Sequence, residues 1–264
     1  MNVISPIPSL AMSNFYGFKD KIILVTGASG GIGAALVSLL HGEGATVIAA
    51  DIEQSAIAAD RVIPARLDVT DGAAVEALVE HIEATVGPID LGASIAGALA
   101  MGLVTETTDA EWRRVFAVNS EGVFHFGRAL ARHMLGRRRG SIVTVGSNAA
   151  GIPRHGMAAY SASKAAATMF TRCLGLELAP YGIRCNIVAP GSTLTPMQTG
   201  MWADEHGADR VIAGMPETFK TGIPLGKLAT PDDIAHAVAF LLSDRAAHIT
   251  MTDVYVDGGA TLRA

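Results

Sequence analysis

Apolar residues along this chain fall into short, almost continuous runs instead of alternating with polar ones. "KIILVTG" at 21–27 is the first. "ATVIAAD" (45–51), "RVIPARLDV" (61–69), "GPIDLGASIAG" (87–97), "GSIVTVGS" (140–147), "IRCNIVAPG" (183–191) and "DVYVDGG" (253–259) hold six more. Runs of this kind read as strands buried on both faces. Helical spacing fills the intervals, at about 31–42 and over a long stretch at about 109–135. Thr108 with Glu111 three residues later has the form of a capping box ahead of the long helix. Thr230–Pro231 is an N-cap followed by proline at the first helical position. Strands alternating with helices predict right-handed βαβ units. The expected fold is therefore α/β, a doubly wound seven-stranded parallel sheet with helices on both faces, in one domain.

Two stretches break the rhythm. Residues 191–229 lie between the sixth strand and the last major helix, and connections this long are usually functional. We expect a lid over a ligand, with short helices of its own. Residues 1–18, "MNVISPIPSLAMSNFYGF", lack a basic segment followed by an apolar run, so no signal peptide is expected. Pro6 and Pro8 oppose a helix there. The reading is a loose N-terminal arm, with Met12 as an alternative start and the domain proper over 19–264.

Composition narrows the class. Half of the 264 residues are hydrophobic, which argues for an extensive core and against disorder. The 29 glycines point to tight packing and close backbone approach to a ligand. A net charge of −5 gives no electrostatic footprint for nucleic acid. The one basic run, Arg137–Arg139, reads as a solvated turn. Cys173 and Cys185 make neither a disulfide framework nor a CxxC, and both are expected as reduced core residues of a cytoplasmic protein. No uncharged apolar stretch is long enough to span a bilayer, and no metal site is expected.

"TGASGGIG", Thr26 to Gly33, follows a strand and opens a helix, the context a dinucleotide site requires. Gly27 permits the turn, Gly31 lets the backbone approach a pyrophosphate, and Gly33 lets helix and sheet pack closely. The free N–H groups of the helix N-terminus then face phosphate charge. Asp51 closes the second strand about 20 residues on, where a carboxylate can accept from a ribose 2′-OH. It would repel a 2′-phosphate, and the turn holds no Lys or Arg to bind one, so NAD is the expected cofactor. Asp68–Val69, at the end of the third strand, could flank the adenine.

"AAYSASKAAA" (158–167) sets Tyr160 and Lys164 on one face of a small-residue helix. A phenol acting as a base needs its pKa lowered, and a nearby ammonium favours the phenolate. Lys164 could also hydrogen-bond the nicotinamide ribose. Ser147 ends the fifth strand at the sheet edge where α/β proteins bind ligands, and could hold a substrate oxygen. Asn119 stands within the long helix, where asparagine is a mediocre choice. It could bind a backbone carbonyl, hold a water that relays protons to Lys164, or make an interhelical hydrogen bond.

Taken in order and spacing, "TGASGGIG", Asp51, "LDV", Asn119, Ser147, "YSASK" and "APG" resemble the short-chain dehydrogenase/reductases, over about residues 19–260. The resemblance implies a single Rossmann-type domain, a nicotinamide cofactor and a catalytic group of Asn119, Ser147, Tyr160 and Lys164. It extends the cofactor contacts to Ser29, Ile32, Ala96, Gly97, Pro190, Gly191, Thr193 and Thr195. It also implies a homotetramer, which suits the Tyr160 helix, apolar on more than one side through Met169, Phe170, Cys173 and Leu174. One departure stands out: "SIAG" at 94–97 replaces the family's "NNAG" or "NAAG". Ser94 thereby loses an amide that usually ties neighbouring strands together.

The second half is more particular. "GSTLTPMQ" and "FKTGIPLGK" are similar to the 2,3-dihydro-2,3-dihydroxybenzoate dehydrogenases of catechol siderophore biosynthesis, a subgroup of that family. This similarity implies NAD-dependent oxidation of a ring hydroxyl of a cyclohexadiene carboxylate, with aromatisation driving the reaction. An amino analogue, a dihydro-hydroxyanthranilate, is the alternative substrate. A non-catalytic NAD-binding sensor is the alternative of another class, though binding alone needs neither Tyr160 nor Ser147. The substrate carboxylate is assigned to Arg154 in "GIPRHG", where a surface arginine on a connecting loop is the competing reading. Met101, Met197 and Gln198 are expected to line the ring.

Overall fold

The structure, a computed structural model, describes residues 14–53 and 59–262. Most of the N-terminal arm, Met12 included, lies outside the described residues. Seven strands form one parallel sheet: β1 (Ile22–Thr26), β2 (Thr46–Asp51), β3 (Val62–Arg66), β4 (Leu91–Ser94), β5 (Gly140–Val145), β6 (Ile183–Pro190) and β9 (Asp253–Val256). Their order is β3-β2-β1-β4-β5-β6-β9, and β1 pairs with β2 on one side and β4 on the other. The winding reverses at β1, which opens a crevice at the carboxyl ends of β1 and β4.

Alternate residues of the inner strands serve opposite faces. Ile23 and Val25 join Val47 and Ala49 in one core, whereas Leu24 joins Ile48 and Ala50 in the other. The first core is closed by α1 (Gly31–Gly42) and α8 (Pro231–Leu242), through Leu36, Leu40, Ile234 and Val238. The second is closed by α2 (Gly72–Thr85), α4 (Gly122–Arg137) and α5 (Ala158–Leu178), through Val79, Ile82, Phe126, Leu130 and Leu174. Both faces are therefore dry, which is why these runs lack alternation. β3 departs from the expectation: Ile63, Pro64 and Arg66 are exposed. It is the edge strand, where Pro64, having no N–H, is tolerated.

The expected long helix is interrupted. α3 (Asp109–Phe116) starts at the Thr108 capping box: Thr108 Oγ1 accepts from the Glu111 N–H at 3.2 Å, and a Glu111 carboxylate oxygen accepts from the Thr108 N–H at 2.9 Å. A π-helical turn over Ala117–Glu121 follows before α4 begins. Such turns are rare and concentrate at functional sites. Thr230 caps α8 in the same way, with Asp233 as its partner.

Residues 191–229 do hold short elements: α6 (Pro196–Thr199), α7 (Gly207–Ala213) and an antiparallel pair, β7 (Gly214–Met215) with β8 (Lys220–Thr221). No helix among the described residues is long and apolar enough to cross a membrane.

Two expectations about side chains fail. Cys185 is buried and its thiol is pushed up to about 12 by desolvation, but Cys173 is exposed, on the outer side of α5. The basic run is not simply a solvated turn. Arg137 donates to both Glu83 carboxylate oxygens at 2.7 and 3.0 Å and to the Ile89 carbonyl at 2.9 Å. Arg138 donates to the Pro180 carbonyl at 2.7 Å. Arg139, 3.6 Å from Asp90, keeps most of its side chain in solvent, and Arg138 is exposed as well. At the Ser94 departure, the Thr26 hydroxyl accepts from the Ile95 N–H at 3.3 Å, so β1 and β4 remain tied there.

Candidate active site

β1 delivers the chain into the Gly27–Gly33 turn. Gly27 adopts φ +69°, and a Cβ there would stand 2.5 Å from the Ala96 nitrogen. A Cβ on Gly33 would fall on the Gly27 carbonyl oxygen. Both positions therefore exclude side chains, and the turn closes against the β4 exit. Gly30 is the N-cap of α1 and offers no side chain to its free N–H groups; the first turn carries no acid. That leaves a bare positive helix end, as an anionic diphosphate requires. A Cβ on Gly31 would stand 2.9 Å from the Thr195 methyl, which sets Thr195 across the turn.

Asp51 stands at the end of β2 beside this turn. One carboxylate oxygen accepts from the Ser29 N–H at 2.9 Å and the other from the Glu53 N–H at 3.2 Å. The Ser29 hydroxyl donates to the Glu53 carbonyl at 3.1 Å. The acid thus braces the turn and remains partly open to solvent. Asp68 and Val69 lie just beyond β3. Asp68 accepts from the Thr70 N–H and hydroxyl at 2.9 and 2.8 Å. Val69 is buried and fills the space left by Gly122.

The other candidates gather around a cavity of about 650 Å³ on the same sheet edge. Ile32, Gly97, Ser147, Tyr160, Lys164, Pro190, Gly191, Thr193 and Thr195 line it. So do Arg154, Met101, Met197 and Gln198. Gly27, Ser29, Gly31, Gly33, Asp51, Asp68, Val69, Ala96 and Asn119 lie outside its lining, with Asp51, Asp68 and Val69 at or just beyond the ends of β2 and β3. The cavity has the size and mixed lining usual for a small-molecule site.

Ser147 is buried beyond β5, its hydroxyl accepting from the Ala149 N–H at 3.1 Å. Burial raises the Tyr160 phenol above its ordinary pKa, and a hydrogen bond with the Ser147 side chain opposes that rise. The Lys164 ammonium lies 6.0 Å from the ring centroid and donates to the Val145 carbonyl at 2.9 Å. Its own burial pulls it down to about 8. The Ser147 hydrogen bond is the contact that favours the phenolate most directly.

Asn119 is fully buried in the π-helical turn. Its amide donates to the Ala98 carbonyl at 2.8 Å and to the Ser163 hydroxyl at 2.9 Å, and its oxygen accepts from the Ala98 N–H at 2.8 Å. Ser163 passes the tie on to the Tyr160 carbonyl at 2.8 Å. Both amide hydrogens are engaged, so the backbone and interhelical readings hold and Asn119 acts as a brace. A Cβ on Gly97 would stand 3.4 Å from Asn119 Oδ1 and 3.5 Å from Lys164 Nζ. The bare Gly97 keeps that space open.

Arg154 is half-buried. Desolvation lowers its pKa, and Asp257 works in the opposite direction. Lys220, on β8, also lines the cavity and also has a lowered pKa, by burial first and then by the Arg154 charge. Sequence reasoning missed Lys220. It lies inside the quoted "FKTGIPLGK", but nothing in its spacing shows that the segment folds back over the cavity.

A turn that excludes side chains ahead of a bare helix end, with a serine–tyrosine pair in the adjoining cavity, suits a nicotinamide-dependent oxidoreductase. The chain belongs to the short-chain dehydrogenase/reductase family; a family profile described as enoyl-(acyl carrier protein) reductase matches residues 27–261. It is 54% identical over 260 residues to the 2,3-dihydro-2,3-dihydroxybenzoate dehydrogenase of Bacillus subtilis (strain 168), covering 94% of this chain and 99% of that protein. It is 43% identical to the vibriobactin-specific 2,3-dihydro-2,3-dihydroxybenzoate dehydrogenase of Vibrio cholerae serotype O1, covering 92% of this chain and 97% of that one. Among solved structures, the ligand-free aldohexose dehydrogenase of Thermoplasma acidophilum superposes with a TM-score of 0.84. That match is 32% identical and covers 94% of this chain and 97% of the other.

Proposed function

We propose that the chain oxidises a ring hydroxyl of 2,3-dihydro-2,3-dihydroxybenzoate with NAD, giving 2,3-dihydroxybenzoate for siderophore biosynthesis. The observation that carries this reading is the cavity itself. It sets the Ser147–Tyr160 pair, suited to an alcohol, in one chamber with the half-buried Arg154, suited to a carboxylate. The names of the Bacillus and Vibrio relatives support it.

The bound nicotinamide would supply the acceptor for the hydride that leaves the ring carbon. Ser147 holds the substrate hydroxyl and Tyr160 Oη takes its proton. The resulting ketone loses a ring proton on enolisation, and the gain of aromaticity makes the oxidation effectively one-way. Lys164 has three donors, of which Val145 takes one. The others are available to a ribose in the space beside Gly97. Asp51 is the residue that favours NAD, through a ribose hydroxyl. Arg154 pairs with the carboxylate through two parallel hydrogen bonds.

A homotetramer is part of the proposal. Met169 and Leu176 on α5 are 56% and 66% exposed, with Phe124 of α4 and Trp112 of α3 also open, an apolar face that a second copy would cover. Sedimentation at micromolar concentration checks it.

The decisive assay follows NAD reduction alongside the appearance of the aromatic product. Turnover with the dihydroxy acid, and slow or no turnover with an uncharged cyclohexanol, is the expected result. Equal turnover of both would overturn the substrate assignment.

A further inference from the structure

Two cations of the cavity lack a close partner among the described residues. Neither Arg154 nor Lys220 makes a side-chain hydrogen bond or an ion pair within 4.0 Å among the described residues. The remaining charged groups of the lining are engaged or outward. Lys164 is bound to Val145, and Arg210 is paired with Asp204 at 2.8 Å. Glu106 is exposed at the rim. Asp257 acts on Arg154 at longer range, and its two oxygens accept from the Gly259 N–H at 3.1 Å and the Asn148 amide at 3.4 Å.

The two cations also come from different parts of the fold. Arg154 sits on the loop between β5 and α5, fixed to the body of the domain. Lys220 sits on β8, which pairs only with β7 inside the long segment after β6. Its neighbour Phe219 adopts φ +55° and is 93% exposed. The left-handed conformation is uncommon for a bulky side chain. Two like charges lining one small chamber repel, and an anion between them relieves that repulsion.

We infer that Lys220 is a specificity-determining residue: the substrate carboxylate sits between Lys220 and Arg154 and joins the long segment to the domain body. This rests on the proposed carboxylate substrate and adds a second, lid-borne contact to it.

The test uses the full-length protein with NAD and two inert probes, 2,3-dihydroxybenzoate and catechol, the same ring without its carboxylate. Affinities are measured by titration calorimetry for the native chain, Lys220→Met and Lys220→Arg. Lys220→Met is expected to weaken dihydroxybenzoate by about 10–100-fold, the scale of one charged hydrogen bond. Catechol should change little, and Lys220→Arg should recover most of the loss. Equal losses for both probes would overturn the inference, because Lys220 would then be packing the segment. Unchanged dihydroxybenzoate affinity in Lys220→Met would overturn it too, with Arg154 holding the carboxylate alone. If the native chain turns over 2,3-dihydro-2,3-dihydroxybenzoate in either of those cases, the proposed function stands and only Lys220 is wrongly assigned. If the native chain neither turns over that acid nor prefers dihydroxybenzoate to catechol, both fall.

Discussion

Lys164 donates to the carbonyl of Val145 at 2.9 Å, so an ammonium is held against the last residue of β5 inside the core. Burial moves it from 10.5 to about 8, which corresponds to about 3 kcal/mol against the charged form. The native state binds the proton less tightly than the unfolded chain does. Below pH 8 both states carry it and the full penalty applies. Between pH 8 and 10.5 the native state has released it and the unfolded chain has not, so this group adds stability as pH rises. Lys164→Met should therefore stabilise the protein at pH 7, by about 1–2 kcal/mol once the lost bond to Val145 is counted. It should also abolish activity. Denaturant melts at pH 7 and pH 10 check this, and the advantage should shrink at the higher pH.

Tyr160 has its pKa raised by burial, so it is protonated at neutral pH. Oxidation needs the phenolate. Its rate should rise with pH from 7 to 9. Tyr160→Phe should cost about 10²–10⁴-fold in turnover, the usual worth of general acid–base catalysis. A flat pH profile for kcat/KM in the oxidation direction would show that another group takes the proton.

Asp51 neighbours Arg66 in the register of β2 with β3, and Arg66 is exposed. Asp51→Ala removes the charge that opposes a 2′-phosphate and leaves that guanidinium nearby. NAD efficiency should fall and the NAD-over-NADP ratio should narrow by at least about tenfold, the loss of about 1.4 kcal/mol of discrimination. Steady-state kinetics with both cofactors check this. A native protein that uses both equally would refute the role given to Asp51.

Arg154→Met should raise KM for the carboxylate substrate by about 10–200-fold, from the worth of a charge-assisted hydrogen bond. An uncharged alcohol, if turned over at all, should be affected far less. Parallel losses on both would mean that Arg154 supports its loop.

Much of this was legible in the chain. Ile23 and Val25 face one core and Leu24 the other, so a run buried on both sides announced the central strands. Thr108 and Thr230 announced their helices, because a cap is a local interaction. What failed depended on contacts across long separations. The break at 117–121 serves Asn119's bonds to Ala98 and Ser163, partners 21 and 44 residues away. Arg137 reaches Glu83 and so leaves solvent. Four-residue spacing put Tyr160 and Lys164 on one face but could not show that Nζ turns to Val145. Lys220 needed the path of the segment after β6, which no periodicity encodes.

The turn at Ala117–Glu121 holds one residue more than an α-helix would use. That surplus is absorbed in one wide turn. It lets α3 be set by its cap at Thr108 while α4 is set by the sheet, and Asn119 lies at the seam between the two. Deleting a single residue there would leave a straighter helix of ordinary hydrogen bonds. The flanking helices would keep nearly the same phase, because the wide turn is where the extra residue is absorbed. Composition and core would be almost unchanged, yet Asn119 could no longer meet both Ala98 and Ser163. The length of the chain at this point, as much as any side chain, is therefore part of the site.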